Sequence, residues 1–179
     1  MTVSTAAALL KEGCRARRED RPADARVSFA EAVEQCRGTD DKTMLAQALA
    51  GLGQIERDLG QLDAAVKLYA EAVELYRTVD RPLALAHTVR HLADILRHQV
   101  QLDLAAPHYR EALAIYRSHE ETPPLDLANA LRGYALLKSS EGEAEEATRL
   151  WREASGLYAA AGVEAGVVES QVQIERLTA

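Results

Sequence analysis

Small and apolar residues recur along this chain in steps of three and four, the interval that keeps side chains on one face of a helix. Ala25, Phe29 and Ala32 follow that rule, and so do Ala65, Tyr69 and Ala72; Ala105, Tyr109 and Ala112; and Ala147, Trp151 and Ala154. Twelve residues ahead of each set stands another small residue: Gly13, Gly53, Ala93 or Ala135. Four residues before that lies Leu9, Leu49, Val89 or Leu131, on the same face of what would be a preceding helix. The twelve-residue step spans a turn, marked by Asp20-Arg21-Pro22, Gly60 and Gly142 in three of the four copies. The pattern predicts a helix hairpin. Small residues let its two helices approach closely, and the aromatic fills the space beside that contact.

The hairpin is repeated. Phe29-Ala-Glu-Ala-Val-Glu-Gln-Cys36 returns as Tyr69 to Tyr76, as Tyr109 to Tyr116 and as Trp151 to Tyr158, at spacings of 40, 40 and 42 residues. The predicted repeats cover about 3–38, 41–79, 81–119 and 123–161, with second helices at 22–37, 62–78, 102–118 and 143–160. The two extra residues of the last spacing fall between Ala112 and Ala135, where Glu121-Thr-Pro-Pro124 forms a connector. Pro107 stands about five residues into a second helix, beyond the first turn where proline is free, and predicts a late start or a kink. Residues 163–178 read as a ninth helix that caps the last hairpin. The whole, 1–179, reads as a single all-α domain of stacked hairpins.

At these residues the chain resembles the tetratricopeptide repeat family, in its long-repeat form. The order of small residue, alanine, aromatic and alanine holds in all four copies, from about Ser4 to Gly162. The departure is length, 40 to 42 residues against about 34 in the usual repeat. The resemblance implies a right-handed superhelical solenoid of four such hairpins. Its concave groove would be lined by the first helix of each hairpin, and its role would be binding a protein or peptide as a scaffold or adaptor. Some members clamp a C-terminal carboxylate with lysine, asparagine and arginine on successive first helices. Here the matching positions hold Leu10, Cys14, Gly51, His87 and His91, so that function is not expected.

Composition narrows the class. At 47% hydrophobic and 27% charged, with ten glycines and five prolines, the chain can bury a core and suits helices. No run approaches the roughly 20 apolar residues that span a bilayer. Met1 to Leu10 lacks the features of a secretion leader, and two cysteines make no disulfide framework, so a cytoplasmic protein is expected. A net charge of −7 argues against nucleic acid as partner.

Against that acidic background, the polar positions of the first helices are largely basic. They are Lys11, Arg17, Arg18, Gln54, Arg57, Asp58, His87, Arg90, His91, Asp94, Arg97, His98, Asn129 and Arg132. Seven are lysine or arginine and two are aspartate. Such a wall suits an acidic partner, since the arginine fork pairs carboxylates at two points. Gln54, Arg57, His87, Arg90, His91, Asp94, Arg97, His98, Asn129 and Arg132 are therefore the expected partner-binding residues.

His87, His91, Asp94 and His98 form the sharpest local feature, a stripe in steps of four, three and four. His87, His91 and Asp94 are weak candidates for a metal site, opposed by Arg90 and Arg97 beside them, and no metal or cofactor is expected. Free imidazoles there would titrate near neutral pH. Catalysis finds no base beside a nucleophile and no phosphate-binding loop, so no enzymatic role is expected. Glu31, Glu71, Glu111 and Glu153 repeat with the hairpins and read as a solvated or helix-pairing row on the second helices. The chain is expected to be a monomer or a weak homodimer, with self-assembly through the solenoid ends and the 163–177 helix as the alternative role.

Overall fold

The computed structural model describes residues 3–179, with side chains from residue 5 onward. Met1 and Thr2, the start of the segment read for a leader, lie outside the described residues. Among those described there are nine α-helices and no strand: α1 Val3–Arg18, α2 Pro22–Arg37, α3 Lys42–Asp58, α4 Leu62–Arg77, α5 Pro82–His98, α6 Leu102–Ser118, α7 Pro124–Ser140, α8 Ala144–Ala160 and α9 Glu164–Thr178. They gather into two compact units, Met1–Ile95 and Leu96–Ala179, with the division falling inside α5.

The repeated residues are the core. Ala25, Ala32, Ala65, Ala72, Ala105, Ala112, Ala147 and Ala154 are fully buried, and Phe29, Tyr69, Tyr109 and Trp151 are at most 2% exposed. Within the first unit Phe29 is pinched from two sides. A Cβ added at Gly13 on α1 would lie 2.9 Å from its ring, and one added at Gly51 on α3 would lie 2.5 Å from it. Ala16, Ala25 and Ile55 close the same cluster. Glycine therefore sets how near the neighbouring helices come, as the small-residue pattern predicts. In the second unit Gly166 of α9 plays that part against Tyr158, and α9 packs on α8.

Each hairpin turn is closed in the same way. One residue after each first helix enters the left-handed region, and the next N–H bonds the carbonyl five residues back: Arg21 to Ala16, Gln61 to Glu56, Gln101 to Leu96 and Glu143 to Lys138. Such a closure satisfies helix-end carbonyls and favours glycine. Gly60 and Gly142 take the position at φ +77 and +79, and Asp20 takes it at φ 55. In the third hairpin, which carries no turn marker in sequence, Val100 adopts φ 61. The α8–α9 turn repeats the arrangement at Gly162, with Val163 bonding Tyr158.

The late start expected at Pro107 is not found. α6 begins at Leu102 and runs through the proline to Ser118. The ring removes only the N–H that would bond the Asp103 carbonyl, and Pro107 is exposed, where water replaces the missing donor. Two glutamates of the row pair helices: Arg37 of α2 donates to Glu71 of α4 at 2.9 Å, and Arg117 of α6 holds both oxygens of Glu153 on α8 at 2.8 Å, whereas Glu111 lies 3.9 Å from His108 of its own helix and Glu31 is exposed. The two interhelical pairs are about half exposed and are worth well under ~1 kcal/mol each.

Candidate functional site

In the first unit, α1, α3 and α5 bring their inner faces around a cleft of about 390 Å3. Its apolar floor includes Leu10, Phe29, Ala50, Tyr69 and Ala84, with Cys14 beside them; Arg17, Gln54 and His87 supply polar groups. The floor exists because Gly51 carries no side chain to fill it, while Phe29 and Tyr69 project from the second helices into the gap. Burial pushes the Tyr69 hydroxyl up to about 12 and the Tyr76 hydroxyl likewise, so both stay neutral and present an uncharged surface.

At the edge of this cleft and beside it the polar residues form two linked groups. Arg17 of α1 donates to the Gln54 amide oxygen on α3. One turn further along α3, Arg57 places Nη1 2.9 Å from His91 Nδ1 on α5 and holds Asp58 at 2.7 Å. His91 is only 9% exposed. Its Nε2 lies 2.8 Å from Nη2 of Arg90, which is 7% exposed and donates through Nη1 to Asp94 at 2.8 Å. His87 meets the His91 ring edge to face at 4.5 Å, and Tyr69 stacks on it at 5.7 Å.

This geometry corrects the expectation of a stripe of free imidazoles. His87 and His98 are exposed, but both nitrogens of His91 face guanidinium groups, which leaves no lone pair directed at an ion. Burial, and then the charge of Arg90, hold the His91 pKa far below the usual histidine value. It is therefore neutral at physiological pH and does not titrate near neutrality as a free stripe would. No cluster of metal-ligating residues forms among the described residues.

Gln54, Arg57, His87, Arg90, His91 and Asp94 thus come together in the first unit, with Arg90 and His91 beneath the surface. Arg97, His98, Asn129 and Arg132 belong to the second unit, where three of them meet other partners. Arg97 donates to the Tyr109 hydroxyl at 3.3 Å, Asn129 accepts from the Tyr158 hydroxyl at 2.8 Å, and Arg132 grips both oxygens of Glu169 on α9 at 2.7 Å. The apolar floor of the cleft was missed in sequence. Its signal was Gly51, two places before the repeat's small residue, where the third copy carries His91 and the fourth Gly133. That position faces the preceding copy's aromatic: Phe29 for Gly51 and Tyr69 for His91.

Paired helices with interlocked small and aromatic columns define a helical-hairpin repeat protein of tetratricopeptide type. The chain belongs to the MalT-like TPR region family, whose model matches residues 3–177. No curated protein matches it significantly in sequence. Among solved structures it is similar to Aspartyl phosphate phosphatase F from Bacillus subtilis, with TM-score 0.82 and 16% identity over 95% of this chain and 44% of that one. It is also similar to the nearly identical TPR-like repeats of a putative kinesin light chain from Podosopora anserina, with TM-score 0.74 and 16% identity over 95% and 83% of the two chains. BtubC (BKLC) from P. vanneervenii gives TM-score 0.67 and 14% identity over 99% and 92%. At these identities the likeness is one of fold. Repeats of this class are in general protein-interaction modules and are typically non-catalytic. Among the described residues no helix is long and apolar enough to cross a membrane.

Proposed function

We propose that this chain is a non-catalytic protein-interaction module whose first-unit cleft holds an acidic peptide segment of a partner protein. The observation that carries the reading is the cleft between α1, α3 and α5, with an apolar floor and arginine, glutamine and histidine at its edge. The floor accepts a large apolar side chain of the peptide, and burying one there is worth about 1.5–3 kcal/mol. Arg17 and Arg57 receive flanking carboxylates; Arg57 is 27% exposed and already holds Asp58, so a ligand acid competes with or joins that pair. Arg90, His91 and Asp94 act from below by fixing the direction of Arg57. On the same reading Arg97, His98, Asn129 and Arg132 stand outside this contact.

Selection of a random displayed peptide library on the purified chain tests the proposal. The expected winners carry aspartate or glutamate beside one large apolar residue, and lose affinity about tenfold or more on Arg17→Glu and on the cleft-filling Ala50→Phe. Winners without acids, or binding indifferent to both substitutions, overturn it.

A further inference from the structure

α9 buries one face and leaves the other uncovered. Gly166 and Ser170, one turn apart, are buried against the second unit, and Glu169 holds Arg132 of α7. On the far side Glu164, Val168, Val172 and Arg176 follow one another at intervals of four, and all are exposed. The two valines are 55% and 38% exposed. Residues four apart form a ridge along a helix, the kind that packs into the grooves of another helix.

This ridge is complementary to itself. Laid antiparallel against a second copy, with a two-fold axis at the level of Ser170, Val168 meets the second copy's Val172. Glu164 then meets the second copy's Arg176, and the axis generates each contact twice. Glu175, the other acid on this side, falls opposite Ala165 and meets no like charge. In a parallel arrangement the same four residues set Glu164 against Glu164 and Arg176 against Arg176. Charge and apolar order therefore agree on one direction and one register.

We propose that this face of α9 is a homodimer contact, in which two copies of the chain pair their α9 helices antiparallel. It is independent of the first-unit cleft. A single helix pair buries little surface, so the dimer is weak, with a dissociation constant on the order of 10–100 μM.

Sedimentation equilibrium of the full chain, from about 5 μM to about 1 mM, tests this directly. The wild type is expected to pass from monomer to dimer across that range. Val168→Glu is expected to weaken the dimer about a hundredfold, because the axis doubles each loss. Glu164→Arg and Arg176→Glu each weaken it about tenfold, and the two together restore it. All of these side chains are exposed, so a thermal melt of Val168→Glu should match the wild type. The charge reversals oppose the dipole at the two ends of α9 and should melt only slightly lower; either result excludes misfolding. A wild type that stays monomeric, a dimer indifferent to Val168→Glu, or a double charge reversal that fails to restore pairing each overturns the proposal. Arg17→Glu, in the first unit, should leave the dimer unchanged and so separates this contact from peptide binding.

Discussion

The His91 imidazole lies nearly parallel to the Tyr69 ring, 19° between planes and 5.7 Å between centres, with an arginine nitrogen within 2.9 Å of each of its own nitrogens. A neutral imidazole has one acceptor and one N–H, so it can accept from only one of the two guanidinium groups. A protonated ring would point an N–H at both and place a third positive charge in a buried cluster.

That arrangement makes stability depend on pH in one direction. The folded His91 pKa lies far below its unfolded value of about 6.5, so below that pH the unfolded chain binds a proton that the folded chain refuses. Its neutral form is accommodated at pH 7 and above, and stability falls by about 1.4 kcal/mol for each pH unit below about 6.5. Urea unfolding of wild type and His91→Phe at pH 7.5 and 5.5 measures this. The wild type should lose about 1 kcal/mol more than the variant over that interval; equal losses would contradict the buried neutral ring.

Gly51 and Gly53 stand two residues apart on α3 and should respond unequally to alanine. A Cβ at Gly51 would sit 2.5 Å from Phe29 Cε1, and Gly13 blocks the ring on its other side. Overpacking of about 1–3 kcal/mol then exceeds the ~1 kcal/mol gain in helix propensity, so Gly51→Ala destabilises. At Gly53 the nearest atom is Tyr69 Cδ2 at 3.2 Å, and the third and fourth copies carry alanine at this position. Gly53→Ala should fall within about 0.5 kcal/mol of wild type by chemical denaturation. Two equal effects would refute the close approach at Phe29.

Val100 carries a branched side chain at φ 61 while 78% exposed, so replacing it sacrifices almost no packing. Left-handed backbone costs a residue with a Cβ about 1–2 kcal/mol, and glycine avoids most of that. Val100→Gly should stabilise the chain by about 1 kcal/mol, read as a higher urea midpoint at unchanged slope. A lower midpoint would mean that the turn gains something from valine that its contacts do not show.

Most of the fold was legible because its signals are local. Alanine columns and aromatics at steps of three and four place Ala25, Phe29 and Ala32 on one face whatever the rest of the chain does. The same spacing predicts Ala65 with Tyr69 and Ala147 with Trp151, and all of these are buried. The Schellman-type turn at Val100 was not legible, since valine carries no sign of a left-handed conformation that the hairpin closure imposes on it. Pro107 misled in the other direction as to where α6 begins. Intact bonding elsewhere in α6 and packing of Ala105, Tyr109 and Ala112 outweigh one missing N–H.

The candidate site divides in the same way. Sequence alone determined that first helices carry a run of cations and imidazoles at helical spacing, because spacing on a helix is a property of the chain. Tertiary structure decided which of them face water. His91 and Arg90 went inward because Tyr69 and Arg57, from helices more than twenty and thirty residues away, supply a ring and a guanidinium over which they close. His87, a single turn from His91, stayed outside. Burial of a polar group is set by what meets it from other elements, and no local pattern encodes that meeting.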